Sequence, residues 1–303
     1  MRYSKASDEI VGDTLGEVWL LSKHLKSLLR RQMQKLPSRE VSENDTRYPV
    51  DEAGMKAFLE TFFTRHIFQV QCSLIEYVSS ADFQYLEESN HLRILDIGCG
   101  PAVASLALYD ILAGTANFDS VSGPQVARIT RALNDTSPIC LGTGREMIAQ
   151  YLVQRKVPTG DLPQDTVFAL ATAFPDNLRQ IQRIAHHIGG FDIIFLSYVV
   201  NVLADHYTLA SVVDSIGRLE QLCQPRGRML IIQDKFQVSL LERIAQHLGV
   251  ECNERTVIHE IYPQRGEAEK YTYTYYDCLY APSGAGVDRR SYLTDSHQGR
   301  QLH

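Results

Sequence analysis

The fold is decided by the stretch LRILDIGCGPA, which covers Leu92–Ala102. Its first six residues, Leu92–Ile97, form a largely apolar run that predicts a buried β-strand. The following segment ASLALYDILA, residues 104–113, favours a helix. Gly98 and Gly100 fall in the turn between the two, where glycine lets a ligand approach the backbone and the free amides of the first helical turn point into the gap. The stretch therefore predicts a ligand-binding turn at the end of a strand.

Asp96 narrows the choice of ligand. In the dinucleotide fingerprint G-x-G-x-x-G the pyrophosphate lies on this turn, and a carboxylate at the end of the strand would repel it. The third glycine of that fingerprint is also missing, because Val103 stands there. S-adenosylmethionine carries an ammonium and a sulfonium and no phosphate, so an acidic residue suits it, while its carboxylate can accept from the helix amides.

The segment DIGCGP, Asp96–Pro101, resembles the first motif of class I S-adenosylmethionine-dependent methyltransferases. The resemblance implies an α/β fold with a doubly wound, seven-stranded, mostly parallel sheet that ends in an antiparallel C-terminal hairpin. It implies S-adenosyl-L-methionine as cofactor and S-adenosyl-L-homocysteine as product. It also assigns cofactor binding to Asp96, Gly98, Cys99 and Gly100. Ala102 departs from the glycine that many members have, which the family tolerates, and a glycine turn without a ligand is the alternative.

Two later segments resemble further motifs that surround the cofactor. Asn134 and Asp135 follow a strand predicted over 126–133, and the acid at this place accepts hydrogen bonds from the ribose hydroxyls, because its two oxygens match a vicinal diol. The distance from the first motif leaves Asp119 as the alternative, and Asn-Asp is also a common turn. Phe174 follows the next predicted strand, 167–172, in the loop that holds adenine in this family, although Pro-Asp-Asn after it is equally a helix start.

The run FDIIFLSYVVN, Phe191–Asn201, resembles the fourth motif, whose end faces the transferable methyl group. Ser197 and Tyr198 would border the methionine part of the cofactor, and Tyr198 and His206 are the candidate catalytic residues. The sequence contains no Asn-Pro-Pro-Tyr, Asp-Pro-Pro-Tyr or Pro-Cys motif in this region, which disfavours the DNA-amino, protein-glutamine and cytosine-carbon enzymes. Other candidate bases are Asp205, His259 and Glu260.

The rest of the chain divides into three regions. Residues 1–90 are predicted as a helical N-terminal extension, with helices over Asp13–Leu36 and Asp51–Val78. Residues 91–281 form the methyltransferase core, which closes with strands 225–234, 256–262 and 270–280. Residues 282–303 form a flexible tail, and 114–125 form an insertion. In this family such extensions often cover the cofactor and build the acceptor pocket. The candidate acceptor contacts are therefore Tyr48, Phe62 and His66. Core packing is the alternative for each of them.

Composition limits the partners. The chain has 303 residues with 30 Lys and Arg against 36 Asp and Glu, a formal charge of −6, which disfavours broad nucleic-acid binding. Six cysteines without a C-x-x-C pair predict reduced thiols, no metal site and a cytoplasmic location. No run approaches the ~18 apolar residues of a membrane span. One face of the first predicted helix is basic and carries Lys23, Lys26, Arg30, Arg31 and Lys35. This face is either exposed to solvent or a contact surface for nucleic acid or another acidic partner.

The sequence therefore predicts a methyltransferase that acts on an O or N atom of a small-molecule metabolite or natural product. Two alternatives remain: an RNA or protein methyltransferase, and a non-catalytic protein that keeps the fold for binding or assembly. A nicotinamide-dependent oxidoreductase is disfavoured by Asp96. A homodimer is kept open as the oligomeric state.

Overall fold

A computed structural model of the chain describes residues 8–11, 14–42, 47–78, 80, 83–84, 89–113, 128–154, 164–261 and 269–282. Within these ranges the strands form one sheet in the order β1-β2-β8-β9-β7-β6-β3-β4-β5. The strands are β1 (Asp8–Val11), β2 (Thr14–Trp19), β3 (His91–Ile97), β4 (Arg128–Asn134), β5 (Gln164–Leu170), β6 (Phe191–Ser197), β7 (Cys223–Asp234), β8 (Asn253–Ile261) and β9 (Glu269–Tyr280).

The predicted fold class is confirmed by the seven strands from β3 to β9. Strands β5, β4, β3, β6 and β7 are parallel, and β9 runs antiparallel to both β7 and β8. The order reverses between β3 and β6, which puts a crevice at the carboxyl ends of these strands, the place where doubly wound sheets bind ligands. Both strands are almost wholly buried because helices cover both faces of the sheet.

Nine helices are described. They are α1 (Lys23–Lys35), α2 (Glu52–Phe58), α3 (Thr64–Val78), α4 (Val103–Leu112), α5 (Pro138–Gln154), α6 (Leu178–Ile188), α7 (Val200–His206), α8 (Leu209–Glu220) and α9 (Val238–Leu248). Buried residues of α1 to α5 pack in the core on one face of the sheet, and buried residues of α6 to α9 pack in the core on the other.

The N-terminal extension differs in part from its prediction. The helix expected over Asp13–Leu36 begins only at Lys23, because Ser22 caps it by accepting a hydrogen bond from the Leu25 amide at 3.2 Å. The residues before it form β2, which pairs with β1 and, in parallel, with β8. Gly16 lies inside this segment and disfavours a helix. The periodic apolar residues of this segment therefore belong partly to a strand and partly to a helix.

The second predicted helix is present, with an interruption. Helices α2 and α3 are joined by a π-helical turn over Leu59–Phe63, and Asp51 caps α2 through the Gly54 amide at 2.9 Å. A π turn rotates the residues that follow it, and such turns are frequent at functional sites. Helix α3 packs against α4, β8 and β9. The extension thus lies against the core beside the last strands of the sheet.

Three predicted features fall on residues outside the described ranges. They are the insertion at 114–125 with Asp119, the turn of the C-terminal hairpin at 263–267, and the tail at 282–303 apart from Pro282. The boundaries of the three regions remain predictions.

Helix α5 comes very close to the turn that follows β3. A Cβ atom added to Gly144 would lie 3.0 Å from the Cβ and the backbone nitrogen of Ala102, whereas one added to Gly142 would meet nothing within 4 Å. The missing side chain of Gly144 therefore allows α5 to pack closely against the turn, whereas Gly142 has no such role.

We predict that Gly144→Ala destabilises the protein by roughly 1–3 kcal/mol, because the added methyl group meets backbone that cannot yield. Gly142→Ala is the matched control on the same helix and should be neutral or stabilising by up to ~1 kcal/mol through helix propensity. Urea unfolding of both variants measures the difference. Equal effects of the two substitutions would contradict the close packing of α5 on the turn.

Candidate functional site

The predicted ligand-binding turn connects β3 to α4 and carries an unusual backbone. Gly98, Gly100 and Ala102 all have positive φ, at 63°, 51° and 59°. A Cβ on Gly98 would lie 2.8 Å from Cγ2 of Val199, so the turn is pressed against the connection that follows β6. Ala102 lacks the conformational freedom of glycine and adopts the left-handed conformation at a cost of about 1–2 kcal/mol. Glycine is required at position 98 both by its φ and by its neighbour.

Asp96 lies buried at the base of this turn. Its Oδ2 accepts a hydrogen bond from Ser105 Oγ at 2.9 Å, which ties the end of β3 to the first turns of α4. Its Oδ1 has no hydrogen-bond partner among the described residues. Burial, opposed by the Ser105 hydrogen bonds, raises the pKa of Asp96 from 3.8 to about 7. The turn therefore holds a carboxyl group with one free oxygen that readily takes a proton or a cation.

Asn134 and Asp135 hold the turn from the end of β4. The Cys99 amide donates to the Asn134 carbonyl at 2.9 Å, and the Gly100 amide donates to Asp135 Oδ2 at 2.9 Å. The other oxygen of Asp135 accepts from the Ser137 amide at 2.8 Å. Burial raises the pKa of Asp135, although these two amides oppose it. Each carboxylate oxygen keeps a second lone pair, so the predicted ribose contact remains chemically open.

The backbone carbonyl of Asn134 binds the turn, whereas its side chain binds the loop after β5. Its Nδ2 donates to the carbonyls of Leu170 and Thr172 at 3.0 and 2.7 Å, which fixes the loop after β5. Phe174 lies in that loop and is 4% exposed, packed in the core on the α6 side. The predicted adenine contact of Phe174 remains a prediction. In the structure the ring is mostly covered by protein.

Ser197 is the last residue of β6, and Tyr198 follows it next to the turn. Tyr198 has a φ of 61°, and its amide donates to the Ile232 carbonyl at 2.9 Å. Its hydroxyl donates to Oε1 of Gln69 on α3. Burial, reinforced by the charge of Asp234, raises the pKa of Tyr198 well above its usual value of 10.0. Tyr198 is therefore a neutral phenol that joins the sheet to the N-terminal extension.

His206 does not belong to this group. It is the last residue of α7 and is exposed, and no hydrogen bond or ring contact joins it to Tyr198 in the part of the chain that the structure describes. Asp205, beside it, is also exposed. The side chains of His259 and Glu260 lie outside the described residues. The structure thus brings Tyr198 to the turn and leaves His206 at the surface.

Three rings of the extension and one of the core form a row beside the turn, which we call the aromatic row: Phe58, Phe62, His66 and Tyr198. His66 stacks on Tyr198 with ring centres 3.9 Å apart and planes 15° apart, and on Phe62 at 5.5 Å. Phe58 contacts both Phe62 and His66, and its Cζ lies 3.7 Å from where a Cβ on Gly100 would be. Phe58, Phe62 and His66 follow one another at a spacing of four residues, which puts them on one face of the helical segment.

His66 is the chemically notable member of the row. Burial, and then the charge of Arg65, hold its pKa well below the usual 6.5, so the imidazole is neutral at neutral pH. Its Nε2 has no hydrogen-bond partner in the described ranges. Arg65 places its guanidinium 4.9 Å from the ring centre of Phe62 and 4.2 Å from that of Tyr273. Tyr273 in turn donates to Asp234 at the end of β7.

Several of the buried polar atoms that lack hydrogen-bond partners belong to the turn, to the ends of β6 and β7, and to α3. Each is enclosed by protein, and none has a hydrogen-bond partner among the described residues: Asp96 Oδ1, Ser197 Oγ, Gln233 Oε1, His66 Nε2 and Gln69 Nε2. A buried donor or acceptor left unpaired costs about 1–3 kcal/mol. Several such atoms around one turn are expected where a polar ligand completes the hydrogen bonding.

Sequence reasoning missed part of this site. Phe58 and Gln69 carried no motif signal, and His66 was named only as an acceptor contact. Gln69 meets Tyr198 across 129 positions of sequence. The one available signal was the clustering of Phe58, Phe62 and His66 at helical spacing, which core packing explains equally well.

No group of three or more His, Cys, Asp or Glu is arranged to hold a metal ion within the described ranges. Among the same residues, no helix combines the length and apolarity that a bilayer crossing needs.

The solved structures to which the chain is similar include three methyltransferases. A precorrin-6Y C5,15-methyltransferase from Geobacter metallireducens has 13% identity, with 67% of this chain and 88% of that chain covered and a TM-score of 0.38. An S-adenosylmethionine-dependent O-methyltransferase from Thermotoga maritima has 11% identity, with 84% and 71% covered and a TM-score of 0.38. A Pyrococcus horikoshii protein assigned as an RNA methyltransferase has 11% identity, with 84% and 97% covered and a TM-score of 0.38.

No protein-family model matches the chain, and no curated protein matches it in sequence. The activity therefore has to be inferred from the residues of this chain.

We predict that Asp96→Asn changes how stability depends on pH. The folded state of the native protein binds the Asp96 proton more tightly than the unfolded state, so stability falls as pH rises from about 4 to about 7 and stays low above that. A raised pKa of this size costs the folded state roughly 4 kcal/mol above pH 7. The variant lacks this titration, so it should gain stability over the native protein from pH 5 to pH 8. Parallel curves of unfolding free energy across this range would show that Asp96 is ionised at little cost.

Proposed function

We propose that the protein is an S-adenosyl-L-methionine-dependent methyltransferase that acts on an O or N atom of a small-molecule metabolite or natural product. The observation that carries the proposal is the buried carboxyl group of Asp96 at the glycine turn, with Oδ1 unpartnered. An anionic pyrophosphate would be repelled there, whereas a cationic amine would supply the missing hydrogen bond and the counter-charge.

The residues present fit this cofactor. Asp96 would take the ammonium group, and Asp135 the ribose hydroxyls through the lone pairs that its two amide bonds leave open. Gly98, Cys99 and Gly100 bring the backbone close to the ligand, and Ser197 Oγ is an unpartnered hydroxyl beside them. When bound, the cofactor supplies a methyl group on a sulfonium that leaves as a neutral thioether.

The chain's own contribution to transfer is positioning and the exclusion of water. The aromatic row packs on the turn from the side of the extension, so an acceptor bound beside the row would be partly shielded from water. Tyr198 and His66 are both neutral at neutral pH, and the unpartnered Nε2 of His66 can accept the proton of an O–H acceptor. His66 therefore replaces His206 beside Tyr198 as the candidate catalytic group.

A small acceptor is favoured over RNA by what lies around the turn. Apart from Arg65, the groups there are aromatic rings, amides and carboxyls, and Arg65 is engaged with two of the rings. The basic residues of α1 supply the specific observation in favour of RNA. Lys23, Arg30 and Arg31 are exposed, while Lys35 pairs with Glu146 of α5. The protein has a formal charge of −6, so this cationic helix is a local surface that would attract the phosphates of an RNA.

We predict that the methyl acceptor belongs to the small-molecule fraction of a cell extract. The purified protein would be incubated with S-adenosylmethionine labelled in the methyl group and with separated small-molecule, RNA and protein fractions. Label should appear in the first fraction and should be lost with Asp96→Asn, because cofactor binding then loses its counter-charge.

The double variant Arg30→Glu/Arg31→Glu separates the acceptor classes. It should transfer label at the native rate, since the α1 surface has no part in binding a small acceptor. Label in RNA or protein that falls with the double variant, and falls with added salt, would establish the alternative class instead. No transfer to any fraction, with cofactor bound, would favour the non-catalytic alternative.

A further inference from the structure

Two cysteines face each other across the C-terminal hairpin. Asn253 of β8 pairs with Asp277 of β9 in antiparallel register, so Cys252, just before β8, lies opposite Cys278. Opposed residues of an antiparallel pair have Cα atoms about 4.5–5.5 Å apart, and a disulfide spans about 4.4–6.8 Å. Both side chains pack against the core on the α9 side of the sheet. The backbone therefore already has the separation that a disulfide needs.

The two thiols influence each other's pKa, and they differ in exposure: Cys278 is fully buried and Cys252 is partly exposed. The hydrogen bond from Cys278 lowers the pKa of the Cys252 thiol, against the opposing effects of burial and of the carboxylates of Asp277 and Glu242. The same bond raises the pKa of Cys278. Cys252 is therefore the accessible nucleophilic sulfur, and Cys278 is its nearest thiol.

The remaining cysteines are poor competitors. Cys72 lies on α3, on the opposite face of the sheet, where it contacts Tyr275. Burial raises the pKa of Cys140 and of Cys223 to about 12, and Cys99 is buried in the glycine turn with its pKa raised well above 9.0. Thiols of this kind react slowly, because the thiolate is the reactive form.

We propose that Cys252 and Cys278 are a redox modification site, which closes to a reversible disulfide when the protein meets a hydroperoxide. The Cys252 thiolate attacks the terminal peroxide oxygen, the O–O bond breaks, and Cys252 becomes a sulfenic acid while water or an alcohol leaves. The Cys278 sulfur then attacks the Cys252 sulfur, its proton leaves with the hydroxyl as water, and the S–S bond forms. Two thiols are oxidised by two electrons, and one hydroperoxide is reduced.

The bond would fix a part of the fold that joins the sheet to the extension. Asp277, next to Cys278, accepts hydrogen bonds from Arg255 at 2.5 Å, Asn253 at 3.2 Å and Ser73 of α3 at 2.5 Å. A cross-link between residues 252 and 278 restricts the unfolded chain and holds β8 against β9 beside these contacts. The oxidised protein should therefore unfold at a higher temperature than the reduced protein.

The test treats the folded protein with a slight excess of hydrogen peroxide. Titratable thiols, measured after unfolding, should fall from six to four, with a mass loss of two hydrogen atoms and one cross-linked peptide pair that contains Cys252 and Cys278. Dithiothreitol should restore all six thiols and the lower unfolding temperature.

Variants establish which thiols are involved. Cys252→Ser, at a partly exposed position, should keep five thiols after peroxide, and Cys72→Ser is the matched control that should still lose two. Cys278→Ala repeats the test from the buried partner without a new polar group in the core. The proposal is overturned if Cys252 proceeds to a sulfinic acid while Cys278 stays free, if the cross-link joins another pair, or if peroxide leaves the native protein with six thiols.

Discussion

The carboxylate of Asp135 holds two backbone amides that belong to different connections of the sheet. One is the Gly100 amide of the turn after β3, and the other is the Ser137 amide that precedes α5. The turn contains three residues in the left-handed region, a backbone that persists only where the surroundings fix it. With the Cys99 amide bonded to the Asn134 carbonyl, Asp135 fixes the turn to the end of β4. The same turn leads into α4, receives α5 at Ala102 and contacts Val199, so this tie acts where three parts of the fold meet.

The N-terminal extension contributes side chains of α2 and α3 to the site. Helix α3 brings Gln69 and His66 to Tyr198, and Phe58 reaches the glycine turn from the preceding helix. Asp96 is buried beneath the turn, and burial raises the pKa of its carboxyl group, so the folded protein ionises it at a cost. If a ligand pairs with this carboxylate as proposed, binding should stabilise the folded protein.

Much of the core was predictable because its signals are local. The strand ending at Ile97, the two glycines and Asp96 lie within a few residues of one another, and their backbone requirements can be read from sequence spacing alone. The basic residues of α1 were placed correctly on a helix for the same reason, although Gly16 and the capping residue Ser22 divide the apolar pattern before it into a strand and a helix.

The long-range features were not predictable in the same way. The contact of Gln69 with Tyr198 depends on how α3 packs against β9, which no spacing in either segment encodes. His206 was placed near the site because it follows β6, but α7 turns its last residue toward solvent. Cys252 and Cys278 meet only because the register of the hairpin opposes them.

We expect the glycine turn with Asp96 to bind an adenosyl cofactor that carries a cationic amine. The most direct measurement is calorimetric titration of the purified, folded protein, free of carried-over ligand, with S-adenosylmethionine, S-adenosylhomocysteine and NADH. Binding of both adenosyl compounds and not of NADH is the predicted result, and at 100 times the dissociation constant each should add about 2.7 kcal/mol to the free energy of unfolding. Binding of NADH, or of none of the three, would contradict the claim.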